Sequence, residues 1–459
     1  MHKNFGLKTL LAAILTLSMA VSLTACGSGG ASTGSADNSE DTTNSSATDD
    51  ADEAPATGSD LKADLIIANA DATAQMMFDE LGLIEKFNEQ YPDISIELER
   101  YTESGDFENA MKIRASSNSL PDIMFFKPTA MGEFDQHLLP LDDLNAAKTS
   151  LYASDYAIDG VIKGIPEFAS RELVYYWKDI FEEAGVEVPQ TWNEFIDVSV
   201  AIKENLSDVV PIAMGAKDEW PDYPMNEYMP ALVSGNGAYW NLMATQDEPF
   251  ASDTDFYKAY RQIQDLYDKQ VFGPDPQGIG WDQARAMFAQ RQAGMLMCGM
   301  GTFSTIVQDA GDNLDGMGTF FLPVRTSEDE AFRTISQGDG FLSISADSKA
   351  PEAAKAFVEF YFSDAWYPEY IQAMAVSPTV EGVDVEFDPI LMEAVDAQPD
   401  AEIVLYDGGN TDFTAIVGET KFDYKKLGVE MMASGFDLDA RLAELNTAWK
   451  EARANLGIS

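Results

Sequence analysis

The sequence predicts an α/β protein in two lobes. Three observations lead there. Helices and strands alternate from residue 61, the alternation restarts near residue 171, and about 400 residues remain once a polar leader is set aside, more than one typical domain holds.

The elements follow in order. LKADLIIANA (61–70) reads as a short buried strand. Residues 72–92 carry Met76, Met77, Leu81, Ile84 and Phe87 at helical spacing, and Pro92 ends that helix. ISIELERY then alternates as a second strand, so the order strand, helix, strand implies a parallel pair with a right-handed crossover. A helix through FENAMKIRASSNSLPD leads to a third apolar run, IMFF (123–126). From 171, RELVYYWKD is strand-like. Thr191 with Glu194 three residues on makes a capping box for TWNEFIDVSVAIKEN, and VVPIAMG is another strand. Later helices are expected in DTDFYKAYRQIQDLYDKQ, WDQARAMFAQR, APEAAKAFVEFYF and LDARLAELNTAWKEARANL.

The leader has its own logic. Lys3 and Lys8 precede an apolar stretch from Leu10 to Leu23 that ends in small residues and Cys26. That is the layout of a secretory signal peptide rather than a stable membrane span. The tetrad Leu23-Thr24-Ala25-Cys26 resembles the lipobox of bacterial lipoproteins, which implies cleavage after residue 25 and lipidation of Cys26. Gly27 to Asp60 holds Gly, Ser, Thr, Ala, Asp and Glu with no aromatic, Lys or Arg, so it cannot bury enough apolar surface to order itself. Residues 26–60 are therefore expected to tether the folded body to the outer face of a cell membrane.

Composition excludes several classes. The 459-residue chain carries a formal net charge of −49, which speaks against nucleic acid as a partner and for a soluble monomer. Its two cysteines are Cys26 and Cys298, and its two histidines are His2 and His137. With Cys26 lipidated no internal disulfide is possible, and Cys298 reads as a small buried hydrophobe. No zinc motif is present, and a Ser-His-Asp triad would need His137. No cofactor, metal or catalytic residue is expected.

From about 61 to 459 the chain resembles the extracellular solute-binding proteins of bacterial ABC importers, in the group that carries sugars and oligosaccharides. The likeness rests on LIEKFNEQYPDISIEL, SLPDIMFF, LLPLDDL, KGIPEFASRELVYYWKDIFEEAGVEVPQTWNEF, FAQRQAGMLMCGMGTF and APEAAKAFVEFYFS, in that order. It implies a periplasmic-binding-protein-like fold of type II with a hinge and an interlobe cleft, a small-molecule ligand, permease subunits as partners, and delivery without chemistry. Hinge crossings are expected near Ile165–Glu172, Gly318–Arg325 and Ser345–Pro351. One lobe would then hold 61–168 with about 320–347, the other 169–319 with about 348–459. Two departures stand out: Trp177 replaces the usual Asn, and Gly301 stands where many sugar binders have Trp.

Sugars present polar edges and apolar C–H faces, so their sites pair aromatic rings with carboxylates, amides and Arg. By the resemblance, Asp71 ends the first strand, Phe126 and Thr129 end the third, Glu167, Ser170 and Arg171 sit on the first hinge, and Phe303 fills an aromatic slot. Trp220, Trp240, Trp281 and Asp339 join them because each lies among Gly, Pro or polar residues, where burial in a core is less automatic. The rival reading is a secreted glycoside hydrolase using paired carboxylates. With 78 acidic residues, pairs alone do not discriminate.

Overall fold

The computed structural model describes residues 61–458, apart from 102–103 and 312. The expected signal peptide, lipidation at Cys26 and tether lie outside the described residues. Among the described residues there are nine strands: β1 (Ala63–Asn69), β2 (Ile94–Arg100), β3 (Ile123–Phe126), β4 (Ile165–Trp177), β5 (Val210–Ala213), β6 (Ala293–Gly299), β7 (Met317–Phe320), β8 (Arg333–Ile344) and β9 (Glu402–Tyr406).

β1 runs parallel to both β2 and β3, as the strand-helix-strand order predicts. The single helix expected over 72–92 is two helices, Ala72–Glu80 and Leu83–Gln90, because Gly82 adopts a left-handed φ of 69° that only glycine takes cheaply. The capping box forms as expected: Thr191 Oγ1 accepts from the Glu194 amide, and the Glu194 carboxylate accepts from the Thr191 amide at 3.1 Å.

Two long strands join the halves. β4 pairs antiparallel with β8 through Arg171, then with β6 from Glu172 and with β7 from Val174. β8 in turn pairs with β3 at its C-terminal end and with β9 at its N-terminal end. Each strand therefore belongs to one core at one end and to another at the other. Ile165 and Phe168 join Leu65, Phe78, Phe87, Phe357, Tyr361 and Trp366. Leu173 to Trp177 join Trp192, Phe195, Trp240, Phe256, Phe320 and Trp449. A smaller cluster with Phe107, Phe126, Phe134 and Phe341 covers the other face of the first half-sheet. Burying each such side chain contributes about 1.5–3 kcal/mol, which suffices for two separate cores. The fold is a two-lobed α/β architecture.

The helices Pro351–Tyr361 and Tyr367–Met374 bury Phe357, Tyr361, Trp366 and Tyr370 beside β1 and β3. The sequence reading grouped them with the other half. Their aromatic faces match the cluster around Phe78 and Phe125, and packing rather than chain order decides membership. Likewise Phe321, Val324, Phe332 and Ile335 pack with the second core, so the passage expected near Gly318–Arg325 falls inside β8 instead.

Candidate functional site

A cavity of about 420 Å³ opens where β4 and β8 pass between the two cores. Strand geometry decides which β4 side chains reach it, since alternate residues point to opposite faces. Phe168, Ser170 and Glu172 line the cavity; Glu167 and Arg171, one step out of phase, do not. The same parity on β8 brings in Gln337 and Asp339. From the first half come Asp71, Thr73, Met374 and Val376, and from the second Trp220, Tyr223, Tyr228, Trp281 and Arg285. Gly299, Gly301, Thr302 and Thr305, following β6, close one side.

Most polar groups here are already oriented. Asp71 caps the helix Ala72–Glu80, its Oδ1 accepting from the Ala74 amide at 2.9 Å. Both oxygens of Asp339 are engaged, one by Lys127 Nζ at 2.7 Å and one by the Gly340 amide at 2.8 Å. Desolvation opposes the Lys127 charge, but the carboxylates of Asp339 and Asp71 outweigh it and hold its pKa above the ordinary value. Tyr228 donates to Gln337 Oε1 at 2.6 Å, which orients the amide. Arg285 is held by Asp309 at 2.6 Å and by Asp282 at 3.1 Å.

Glu172 is the unusual carboxyl. Burial pushes its pKa up to about 8, and the charges of Glu227 and Asp339 push the same way against the donated Tyr223 hydroxyl. At neutral pH it is mostly a neutral acid that can donate as well as accept. Aromatic rings line the same cavity: Trp220 and Trp281 lie with ring centroids 5.0 Å apart at 55°, and Tyr223 lies 6.1 Å from Trp220. Trp220 is 37% exposed, so its ring is free to meet a ligand.

Of the residues nominated from sequence, Asp71, Ser170, Trp220, Trp281 and Asp339 come together in this cavity. The side chain of Thr129 lies outside what the structure describes. The others lie elsewhere. Phe126 is fully buried and stacks on Phe134 at 4.5 Å. Trp240 is fully buried, donating its indole N–H to Tyr406 Oη at 2.7 Å. Phe303 packs in the second core against Tyr175. Glu167 is enclosed behind β4, where Tyr361 and Tyr370 donate to it at 2.6 and 3.0 Å, and burial holds its pKa well above the carboxylate range. Arg171 is partly exposed on the opposite face of β4 from Ser170.

Sequence reasoning missed Glu172, Tyr223, Tyr228, Arg285 and Gln337. Two were findable by spacing: Arg285 is four residues after Trp281 on one helix, and Gln337 is two before Asp339 on one strand. The Gly301 departure has a structural counterpart. A Cβ there would meet only Val376, at 3.4 Å, so space is left, and the rings of Trp220 and Trp281 supply the aromatic surface from another element.

Residues 67–368 match the family model described as bacterial extracellular solute-binding protein. The multiple sugar-binding protein of Streptococcus mutans is 25% identical over 311 residues, covering 66% of this chain and 72% of that one. The mannitol-binding protein of Pseudomonas aeruginosa is 23% identical over 306 residues, covering 62% and 66%. Among solved structures, the solute-binding protein RafE, known from Streptococcus pneumoniae, in complex with raffinose superposes with a TM-score of 0.71 at 20% identity, over 85% of this chain and 99% of that one. A mannobiose-bound ABC-transporter binding protein of Bifidobacterium animalis subsp. lactis gives 0.70 at 20% identity, over 87% and 96%.

Proposed function

The chain belongs to the bacterial extracellular solute-binding protein family, and from that premise we propose that it captures a sugar or oligosaccharide in the cavity between its lobes and hands it, chemically unchanged, to an ABC permease. The observation that carries this reading is the composition of the cavity. The aromatic rings of Trp220, Trp281 and Tyr223 line it together with the carboxyl and amide groups of Asp71, Glu172, Gln337 and Asp339. Rings cover the C–H faces of a pyranose, and the polar groups pair its hydroxyls. A neutral Glu172 suits a ligand whose hydroxyls both donate and accept.

The mechanism is closure. A ligand touching both sides binds the closed arrangement better than the open one and shifts the population by that difference. The lobes in this reading are 61–170 with about 337–385, and 172–335 with about 387–459, which moves 348–385 from the second lobe to the first. The cavity residues named above are its ligand contacts. Further parts of the reading are a monomer anchored at the outer face of the membrane through lipid on Cys26, and no enzymatic activity.

A thermal-shift series with raffinose, mannobiose, mannotriose and monosaccharides tests it, with chromatography of the sugars afterwards. At a hundredfold excess over Kd a binder raises Tm by about 3 °C. Recovery of the intact sugar supports capture. Release of smaller sugars overturns the non-enzymatic reading, and a flat response to every saccharide overturns the ligand class.

A further inference from the structure

Trp220 and Trp281 sit on separate segments, and a carboxylate two residues before Trp220 reaches the helix that Trp281 begins. The helix Trp281–Ala289 begins at Gly280, which has no side chain to cap it. Asp218 fills that role from 63 residues away: its Oδ2 accepts from the Trp281 amide at 2.6 Å. The approach is close on both sides. A Cβ on Gly280 would lie 2.9 Å from Asp218 Oδ2, and one on Gly215 would lie 2.7 Å from the Trp281 nitrogen. The Lys217 amide adds a second tie, donating to the Ile279 carbonyl at 3.1 Å.

The chain then turns at Glu219, which takes φ 63° and ψ −41°, a conformation a non-glycine residue reaches only under strain. That turn leaves Asp218 facing the helix start while Trp220, two residues on, lies against Trp281. A strained residue between a capping carboxylate and an exposed tryptophan is stable only where the surrounding contacts hold it.

We propose that Asp218 is a positioning residue for the tryptophan pair, capping the helix of Trp281 in trans and thereby locking the two indoles into one preformed surface. A preformed surface spares the ordering cost that two independent side chains would impose on binding. The consequence for affinity rests on the reading of the cavity as a saccharide site; the positioning itself does not.

The full mature chain is compared with Asp218→Ala, Asp218→Asn and Trp220→Phe, without ligand, by the exciton couplet that paired indoles give in circular dichroism. Trp220→Phe marks the signal with the pair removed. Asp218→Ala should lose most of the same signal while Tm stays within about 2 °C, as expected for an exposed side chain outside every core cluster. Asp218→Asn, which keeps an acceptor oxygen, should retain it. Asp218→Lys, also without an acceptor, replaces the alanine variant if that one fails to fold. Calorimetry with raffinose and mannotriose should show roughly three- to tenfold weaker binding for Asp218→Ala. A native couplet in the variants lacking an acceptor, or its loss in Asp218→Asn, overturns the proposal. If the native chain binds neither sugar but Asp218→Ala still loses the couplet, the saccharide reading fails and the positioning role stands.

Discussion

Tyr223 donates its hydroxyl to Oε2 of Glu172 at 2.6 Å while accepting from the Gly299 amide at 3.0 Å. One hydroxyl thus ties the end of β6 to the point where β4 leaves one core for the other.

The Glu172 carboxyl makes stability depend on pH. Burial raises the folded pKa of Glu172 to about 8, above its ordinary value of 4.5. The folded state therefore binds more protons than the unfolded state between those values, and stability is greatest below about pH 4.5 with respect to this group and falls as pH rises through about 8. Glu172→Gln removes the titration. Thermal melts from about pH 6 to pH 9 should show the native Tm dropping more than that of the variant; parallel curves would contradict the assignment.

The two kinds of tryptophan should separate cleanly. Trp240→Ala empties a core position and should cost about 3–5 kcal/mol in unfolding free energy. Trp220→Ala touches no core and should leave Tm nearly unchanged while weakening saccharide binding about tenfold. Chemical denaturation and calorimetry on the two variants check both halves.

Neighbouring glycines should behave differently. A Cβ at Gly299 would lie 2.7 Å from Ser170 Oγ and 3.1 Å from Glu172 Oε1, so Gly299→Ala should disturb the Tyr223–Glu172 pair and lower both Tm and affinity. Gly301→Ala meets only ordinary contact and should stay within about 0.5 kcal/mol of native stability.

Glu167 should prove structural. Removing the donors in Tyr361→Phe or Tyr370→Phe leaves a buried carboxyl short of a partner, a loss of about 1–3 kcal/mol each. Saccharide affinity should not change beyond what that destabilisation explains; a selective loss of binding would return Glu167 to the cavity.

Of the residues nominated from sequence, the structure gathers some in the candidate cavity and places others elsewhere, for reasons visible in single residues. Asp71 was reached through the family resemblance, and Asp339 through its glycine-flanked stretch QGDGF. Trp220 and Trp281 were legible from polar neighbours, but Trp240 had the same kind of neighbours, GNGAYW, and is fully buried. Its surroundings are set by Tyr406, Phe413 and Tyr424, more than 160 residues away, which no local window contains. Glu167 and Ser170 were both credible on β4 until the pairing with β8 fixed which face of the strand meets the cavity.

By itself the sequence determined the α/β alternation, the capped helices and the apolar strands, because these depend on residues a few positions apart and on periods of 2 and 3.6. Only the tertiary structure decided that the helices of 351–374 pack beside β1, that β4 and β8 each serve two cores, and that Tyr223, Glu172 and Trp281 share a cavity. Those outcomes depend on contacts between distant segments, and their energies appear only once the chain has brought the surfaces together.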